Sequence, residues 1–314
     1  MADSIIRGLA YDGNLRVSAV VATDITEELR KRHDTWPVAT AALGRALSAT
    51  LLLSWGLKGE GMVTMRIFGD GPLGGIIVTA NAHGEAKGYV QEPHVDLPLN
   101  EHGKLDVGGA IGQGDLYISK DIGLGEPYTG SVPLVSGEIG EDVAEYLMQS
   151  EQTPSLVAVG VLVNPDCSVA VSGGLIIQLM PGTDEEILNE IAEGLKGVQA
   201  VSTLLNMGYD TRGLIEHYLP KTEVEILEET PVAFHCGCNR ERISGALKSV
   251  GINELEEMIE KDGKAEVCCH FCNEKYEFTA DDLKALIEEI KADKAAQAEE
   301  ERKNSCCSFS HFGK

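Results

Sequence analysis

The chain has 314 residues, 43% of them hydrophobic, a globular proportion that excludes a disordered or fibrous protein. It carries 26 Lys and Arg against 50 Asp and Glu, a net charge of −24, so phosphate backbones and anionic membrane surfaces should repel it. Aromatics are only 5%, too few for a platform that stacks single-stranded bases, while 35 glycines point to many tight turns.

At roughly 100–200 residues per domain, two domains are expected, or three small ones. The opening MADSIIRGLAYDG has no long apolar run, so no secretory signal is expected. LRVSAVVATDI predicts a strand ending at a helix start, ITEELRKRHD a short charged helix, and Trp36-Pro37 a break. Residues 38–57, VATAALGRALSATLLLSWGL, are apolar enough to suggest a membrane span. Arg45 near its middle would cost about 2.5–3.5 kcal/mol in a bilayer, and small residues abound, so a buried core helix is predicted instead.

MVTMRIFGDG alternates apolar and polar residues up to a turn at Gly69-Asp70-Gly71-Pro72. GGIIVTANAHGEAKGYV reads as two strands joined at Asn81–Gly84. DLYISKDIG, YTGSVPLV and LVAVGVLVNPDCSVAVSGGLIIQLM supply further strands, and EDVAEYLMQS an amphipathic helix. Helices and strands alternate without an even βαβ period. The predicted class is therefore α+β, with an amino-terminal antiparallel-sheet domain and packed helices over residues 1–180.

At Pro181-Gly182 the texture changes. Thr183, with Glu186 three residues on, has the spacing of a capping box, and Ile187, Leu188, Ile191 and Leu195 share one helical face. Short helical segments interrupted by Gly197, Gly208 and Gly213 continue to Pro220. Such short helices do not persist alone in water, so residues 181–230 read as a helical linker of low intrinsic stability that must dock on something. Residues 231–290 form a small cysteine module with a polar helix from 281 to 303. Residues 291–314 are a polar tail, mobile at its end.

Seven of the eight cysteines lie beyond residue 230: Cys236, Cys238, Cys268, Cys269, Cys272, Cys306 and Cys307, with Cys167 standing apart. Without export, clustered cysteines read as metal ligands or redox thiols rather than structural disulfides. Cys236-Gly237-Cys238 and Cys269-His270-Phe271-Cys272 are two chelating pairs separated by residues 239–268. Two such pairs on separate turns are what a tetrahedral Zn²⁺ needs, at Zn–S distances of about 2.3 Å. With four thiolates available, all-cysteine ligation is favoured. His235 and His270 then read as neighbours of ligands and Cys268 as a bystander. Arg240, Arg242, Lys264 and Lys275 lie near the pairs in sequence and would offset the formal −2 of a four-thiolate zinc centre. Thiolates are also the form that oxidants attack, and a module this small unfolds when it loses its metal, so an oxidation-triggered switch is physically available.

Other motifs carry less. GDGPLGG and Gly108-Gly109-Ala110-Ile111-Gly112 resemble phosphate-cradling loops, but neither continues into G-K-[ST], so both read as turns. Ser150-Glu151-Gln152 with His217 has no G-x-S-x-G elbow around it. Lys31-Arg32-His33 reads as a solvated helix end, and His83 and His102 as surface residues. No catalytic triad or carboxylate pair emerges, so no enzyme is expected. Two further functions remain as alternatives. A thiol–disulfide oxidoreductase would need a βαβ context around Cys269, and a structural zinc-ribbon binder of nucleic acid would need a basic face where Glu254, Glu256, Glu257, Glu260 and Asp262 stand.

FHCGCNRERISGALKSVGINELEEMIEKDGKAEVCCHFCNEKYEFTADDL closely resembles the zinc module of the redox-regulated thirty-three-kilodalton heat-shock chaperone family. RHDTWPVATAALGRALSATLLL, LKGEGMVTMRIFGDGPLGG, GEPYTGSVPLV, EYLMQSEQTPS and SGGLIIQLMPG resemble it too, so the similarity spans about residues 3–290. The doubled cysteine at Cys268 and the tail pair Cys306 and Cys307 depart from the family pattern. The resemblance implies a cytoplasmic, ATP-independent holdase with a substrate-binding core domain over 1–180. It implies that the reduced protein holds one zinc through Cys236, Cys238, Cys269 and Cys272 and is inactive. Oxidation would form Cys236–Cys238 and Cys269–Cys272 disulfides, expel zinc and destabilise the linker. The partners implied are unfolded client proteins and, on activation, a second copy of the chain, with no nucleic acid and no membrane.

Overall fold

The computed structural model describes residues 2–308, apart from 58, 124, 184–185, 188, 190, 192–196 and 221, and for 298–308 it describes the backbone only. The chain divides into two compact units, Met1–Cys236 and Gly237–Lys314.

The first unit holds two sheets. Strands β1 (Ser4–Ala10), β2 (Leu15–Val21), β8 (Ser155–Val163), β9 (Val169–Leu179) and β10 (Val224–Pro231) form an antiparallel sheet in the order β10-β1-β2-β9-β8. Strands β3 (Met62–Gly69), β4 (Gly75–Asn81), β5 (Glu85–Val90), β6 (Gly114–Asp121), β7 (Tyr128–Pro133) and β11 (Ala233–Phe234) form the other, in the order β11-β5-β4-β3-β6-β7. Its pairings are antiparallel except the short parallel contact of β11 with β5. The α+β class and antiparallel architecture expected from the sequence are what the structure has.

Helix α2 (Pro37–Leu53), after α1 (Thr23–His33), is the apolar segment that resembled a membrane span. A helix apolar on every side must be buried on every side. It packs against strands of both sheets, in one cluster with Ile5, Val20, Ile176, Val63, Met65 and Val78. Arg45 is accommodated there by an ion pair to Glu138. Among the described residues no helix is long and apolar enough to cross a membrane.

Three strands escaped the sequence reading: β1, β10 and the two-residue β11. β1 carries Arg7, which is buried, and its guanidinium donates to Ser54 Oγ at 2.9 Å and pairs with Glu228 of β10 at 3.2 Å. β10 itself falls in the segment expected to be helical linker. Its VEILEETP alternates only over Val224, Glu225 and Ile226, and it lies antiparallel on β1. The ladder shifts register between Arg7 and Gly8, where a Cβ at Gly8 would lie 2.6 Å from the Glu225 carbonyl oxygen, so only glycine passes that bulge unstrained.

The rest of the linker does contain helices. After α3 (Val107–Ile111) and α4 (Gly140–Ser150) come α5 (Val201–Asn206) and α6 (Thr211–Tyr218). Leu204, Leu205, Leu214 and Ile215 from these helices join Ile6, Val17, Ala19, Leu175 and Ile177 in a second apolar cluster, on the opposite face of the five-stranded sheet from α2. Ile187 and Ile191 are helical and reach the same cluster. Leu188 and Leu195, expected beside them, lie outside the described residues. The Thr183 hydroxyl lies 3.3 Å from Asn14 Oδ1.

Asp3 connects three elements. Its Oδ2 accepts the Ile25 N–H at 2.9 Å in the first turn of α1, and its carbonyl accepts the Val232 N–H at 3.1 Å, between β10 and β11. Burial raises its pKa to about 6, and Oδ1 has no hydrogen-bond partner. A carboxyl whose folded pKa exceeds its unfolded value favours folding most at low pH, and that contribution is lost as pH rises from about 4 to 6. Asp3→Asn keeps the acceptor for Ile25 and removes the buried charge. Thermal unfolding should show the variant more stable at pH 8, on the order of 1–3 kcal/mol, with the gain shrinking at pH 5. A gain equal at both pH values would mean that the charge is not responsible.

The second unit contains α7 (Arg240–Val250), α8 (Ile252–Lys261), the hairpin β12 (Lys264–Cys268) and β13 (Lys275–Thr279), and α9 (Ala280–Ser308). The acidic middle of the module is thus two helices. The last helix continues to Ser308, through part of the expected tail, while 309–314 lie outside the described residues. Leu247, Leu255, Ala265, Phe278, Leu283, Leu286, Ile287 and Ile290 make a small core of its own.

Candidate metal centre

The two sulfur pairs arrive by different routes. Cys236 follows β11, whose neighbour His235 donates its backbone N–H to the Ala86 carbonyl at 3.1 Å. Asn239 then caps α7, its Oδ1 accepting the Arg242 N–H at 2.8 Å, and the Arg242 side chain returns to the Gly237 carbonyl at 3.0 Å. Helix cap and C-x-C turn therefore form one structure, held from both sides of Cys238.

The second pair sits in the turn of the β12–β13 hairpin. The Cys269 N–H donates to the Glu274 carbonyl at 2.9 Å, and the Asn273 N–H donates to the Cys269 carbonyl at 2.8 Å. Asn273 has φ 59°, a left-handed conformation that asparagine tolerates better than most residues. Cys268 ends β12 opposite Lys275, and its thiol donates to Asn273 Oδ1 at 3.1 Å. Burial pushes the Cys268 thiol up, and Lys275 opposes this.

The Sγ atoms of Cys236, Cys238, Cys269 and Cys272 all lie within 4.8 Å of one another, and Cys272 is buried. Cys238 Sγ and Cys272 Sγ are 3.1 Å apart. A tetrahedral thiolate site with Zn–S of 2.3 Å has sulfurs about 3.8 Å apart, so the donor set and its spacing fit a thiophilic cation. Cys268 is not in this group. None of the six cysteines whose side chains are described is in a disulfide.

Arg240 pairs with Asp282 at 3.0 Å, donates to the Glu277 carbonyl at 2.7 Å and covers the Phe278 ring at 4.3 Å, so it ties α7 to the hairpin and to α9. Asp282 in turn exchanges hydrogen bonds with Thr279 in a capping box at the start of α9. Lys275 pairs with Glu266 at 2.9 Å. A group absent from the sequence reading lies at the sulfurs: the Tyr276 hydroxyl is 3.2 Å from Cys238 Sγ, and that hydrogen bond raises the phenol's pKa.

The weaker motifs dissolve. The two glycine-rich loops face each other, with Gly71 N–H on the Ile111 carbonyl and Leu73 N–H on the Ala110 carbonyl, both at 2.9 Å, so these amides are not available to a phosphate. His217 lies edge-on to Tyr209 and Tyr218. His83 and His102 are exposed, as expected. Arg32 is not merely solvated, for it pairs with Glu28 and lies 4.5 Å over the Phe234 ring of β11.

Residues 3–279 match the family described as Hsp33 protein. The 33 kDa chaperonin of Desulforamulus reducens is 49% identical over 290 residues, covering 92% of this chain and 99% of its own length. That of Bacillus subtilis is 49% identical over 285 residues, covering 90% and 98%. The solved structure of the 33 kDa chaperonin of Thermotoga maritima has a TM-score of 0.87 at 37% identity, covering 93% of this chain and all of its own.

Proposed function

The chain belongs to the Hsp33 protein family, and on that premise we propose that it is a redox-regulated, ATP-independent holdase of the cytoplasm, not an enzyme, that captures unfolded proteins under oxidative stress. In the reduced state Cys236, Cys238, Cys269 and Cys272 hold one Zn²⁺ and the protein is inactive. Oxidation closes Cys236–Cys238 and Cys269–Cys272, the zinc leaves, and the activated protein dimerises and binds clients.

The observation that carries this reading is the second apolar cluster. One face of the five-stranded sheet, with Ile6, Val17, Ala19, Leu175 and Ile177, is covered by α5 and α6, helices of six and eight residues. Helices that short are held by docking alone, so any loosening bares both their own apolar side chains and the sheet. A covalent and hydrogen-bonded route joins them to the sulfurs. Arg212 of α6 pairs with Glu229 of β10 at 3.0 Å, and β10 runs through Val232 and β11 to Cys236. When the metal goes, the far end of that route loses its anchor. Residues 1–180 are then the substrate-binding core, 181–230 the metastable linker and 231–290 the switch. The charge of −24 keeps a carrier of sticky clients soluble. The reading as an oxidoreductase has less support, because Cys269 and Cys272 lie in a β-hairpin turn and not at the start of a helix after a strand.

The test measures zinc content and suppression of client aggregation before and after peroxide. Cys→Ser at 236, 238, 269 or 272 should each abolish tight zinc binding, whereas Cys268→Ser should keep it, because its thiol is engaged by Asn273. Full zinc in Cys269→Ser with loss in Cys268→Ser would reverse the ligand assignment. A reduced protein without zinc, or a holdase activity indifferent to oxidation, would sink the function.

A further inference from the structure

We propose that Tyr276 is a positioning residue that sets how readily the sulfur centre is oxidised, through a hydroxyl hydrogen bond donated to Cys238. The inference rests on the redox reading above and adds to it the group that restrains the switch. Tyr276 stands on β13, opposite Val267 of β12, beside the turn that carries Cys269 and Cys272. Its hydroxyl lies 3.2 Å from Cys238 Sγ, a sulfur of the other chelating pair, which is itself 3.1 Å from Cys272 Sγ. Its ring is partly buried against the apolar core of the second unit. The hydroxyl is thus delivered by the rigid hairpin to a sulfur supplied by a different segment.

As a metal ligand, Cys238 is a thiolate with no proton to give, so the phenol must be the donor. An O–H···S⁻ bond draws electron density from the sulfur. That matters because oxidation starts with a sulfur lone pair attacking the peroxide O–O bond. The S–O bond forms, the O–O bond breaks, and the departing hydroxide takes a proton to become water. The sulfur of Cys236 then attacks the sulfenic sulfur of Cys238, the S–S bond forms, and a second hydroxide leaves as water. Two thiolates, one hydrogen peroxide and two protons give one disulfide and two waters, the sulfur pair having lost two electrons. A donor on Cys238 makes its lone pair less available to peroxide while keeping it placed for the metal.

The experiment uses the full-length reduced protein and its Tyr276→Phe variant, each loaded with zinc and, separately, with cobalt(II). Three results are expected of the variant. Zinc affinity in chelator competition should fall roughly 10-fold, the scale of losing a hydrogen-bonded partner around a metal ligand. Peroxide-driven zinc release should be several-fold faster. The sulfur-to-cobalt charge-transfer band should move to lower energy, a signature that a packing defect would not produce. Tyr276→fluorotyrosine, a stronger donor of nearly the same shape, should shift release and band in the opposite direction, which covers the case where phenylalanine disturbs the hairpin. Wild-type release rates and an unmoved band in both variants would overturn the proposal while leaving the switch intact. Failure of the wild-type protein itself to take up zinc would instead overturn the reading on which it rests.

Discussion

The variant Ile191→Asp is expected to suppress client aggregation while still reduced and fully loaded with metal. Ile191 is 7% exposed and lies in the cluster that joins the linker to the sheet face of Val17, Leu175 and Ile177. An aspartate there must either bury an unpaired charge, which costs several kcal/mol, or leave the sheet. Leaving is the easier course, because a helix this short persists only by docking. The sulfur centre is far away in sequence and should keep its zinc. Light scattering of a denatured client mixed with the reduced variant reads the activity, and metal analysis runs in parallel. Hydrogen exchange should rise across residues 186–218 and not in β2 or β9. If exchange rises there, zinc stays bound and no holdase activity appears, undocking of the linker is not the activating step.

A larger structural effect is expected from a chelator. Removing zinc from the reduced protein should melt residues 237–290 and leave both sheets of the first unit protected from exchange. A structural zinc in a small module contributes an apparent 10–16 kcal/mol, roughly, at neutral pH. The eight residues of this unit's buried apolar cluster are a modest core for a module with only a two-stranded sheet and helices, below the size at which burial alone reliably suffices. Arg240, Asp282 and Thr279 fasten its pieces together, but largely at the surface, where such links count for little. Exchange mapping after chelation decides the matter. Persistent protection of Leu255, Phe278 and Ile287 without metal would show that the core stands alone, and oxidation would then need some other way to loosen the linker.

Much of this could be read along the chain because the relevant interactions are local. The paired cysteines announce a four-sulfur centre by spacing alone, and α2 announces burial by being apolar on all sides. Adjacent hairpins such as β4–β5 and β8–β9 show in their alternation and turn residues. What escaped depends on distant partners. β1 carries a buried arginine that makes sense only beside Ser54 and Glu228. β10 carries three glutamates in eight residues and holds its place in a sheet only through pairing with β1. Tyr276 touches a sulfur 38 positions away, and no local pattern marks it. Asn273 is the exception that was within reach: an asparagine straight after C-x-x-C is a signal for a left-handed residue closing the turn. The sequence reading took Cys269 as the ligand and Cys268 as a bystander, and in the structure Cys268 lies beside Asn273, outside the sulfur cluster.

The pairing of β1 with β10 has a consequence for how the chain is made. Ser4 faces Pro231 and Ala10 faces Val224, so β1 leaves the ribosome long before the strand that pairs with it, one of the last of its unit. At about 5–20 residues per second, that wait is roughly ten seconds or longer. Throughout it, the nascent β1 offers an unpaired edge, with Ile5 and Ile6 on opposite faces. Folding with such long-range closure is slow, and the growing chain is open to strand-edge aggregation until Glu228 arrives to cover Arg7. A protein proposed to shield others from aggregation would itself be most exposed to it during its own synthesis. Ribosome-stalled chains ending before residue 224 should therefore be protease-sensitive over β1, and chains stalled well beyond residue 236 should not.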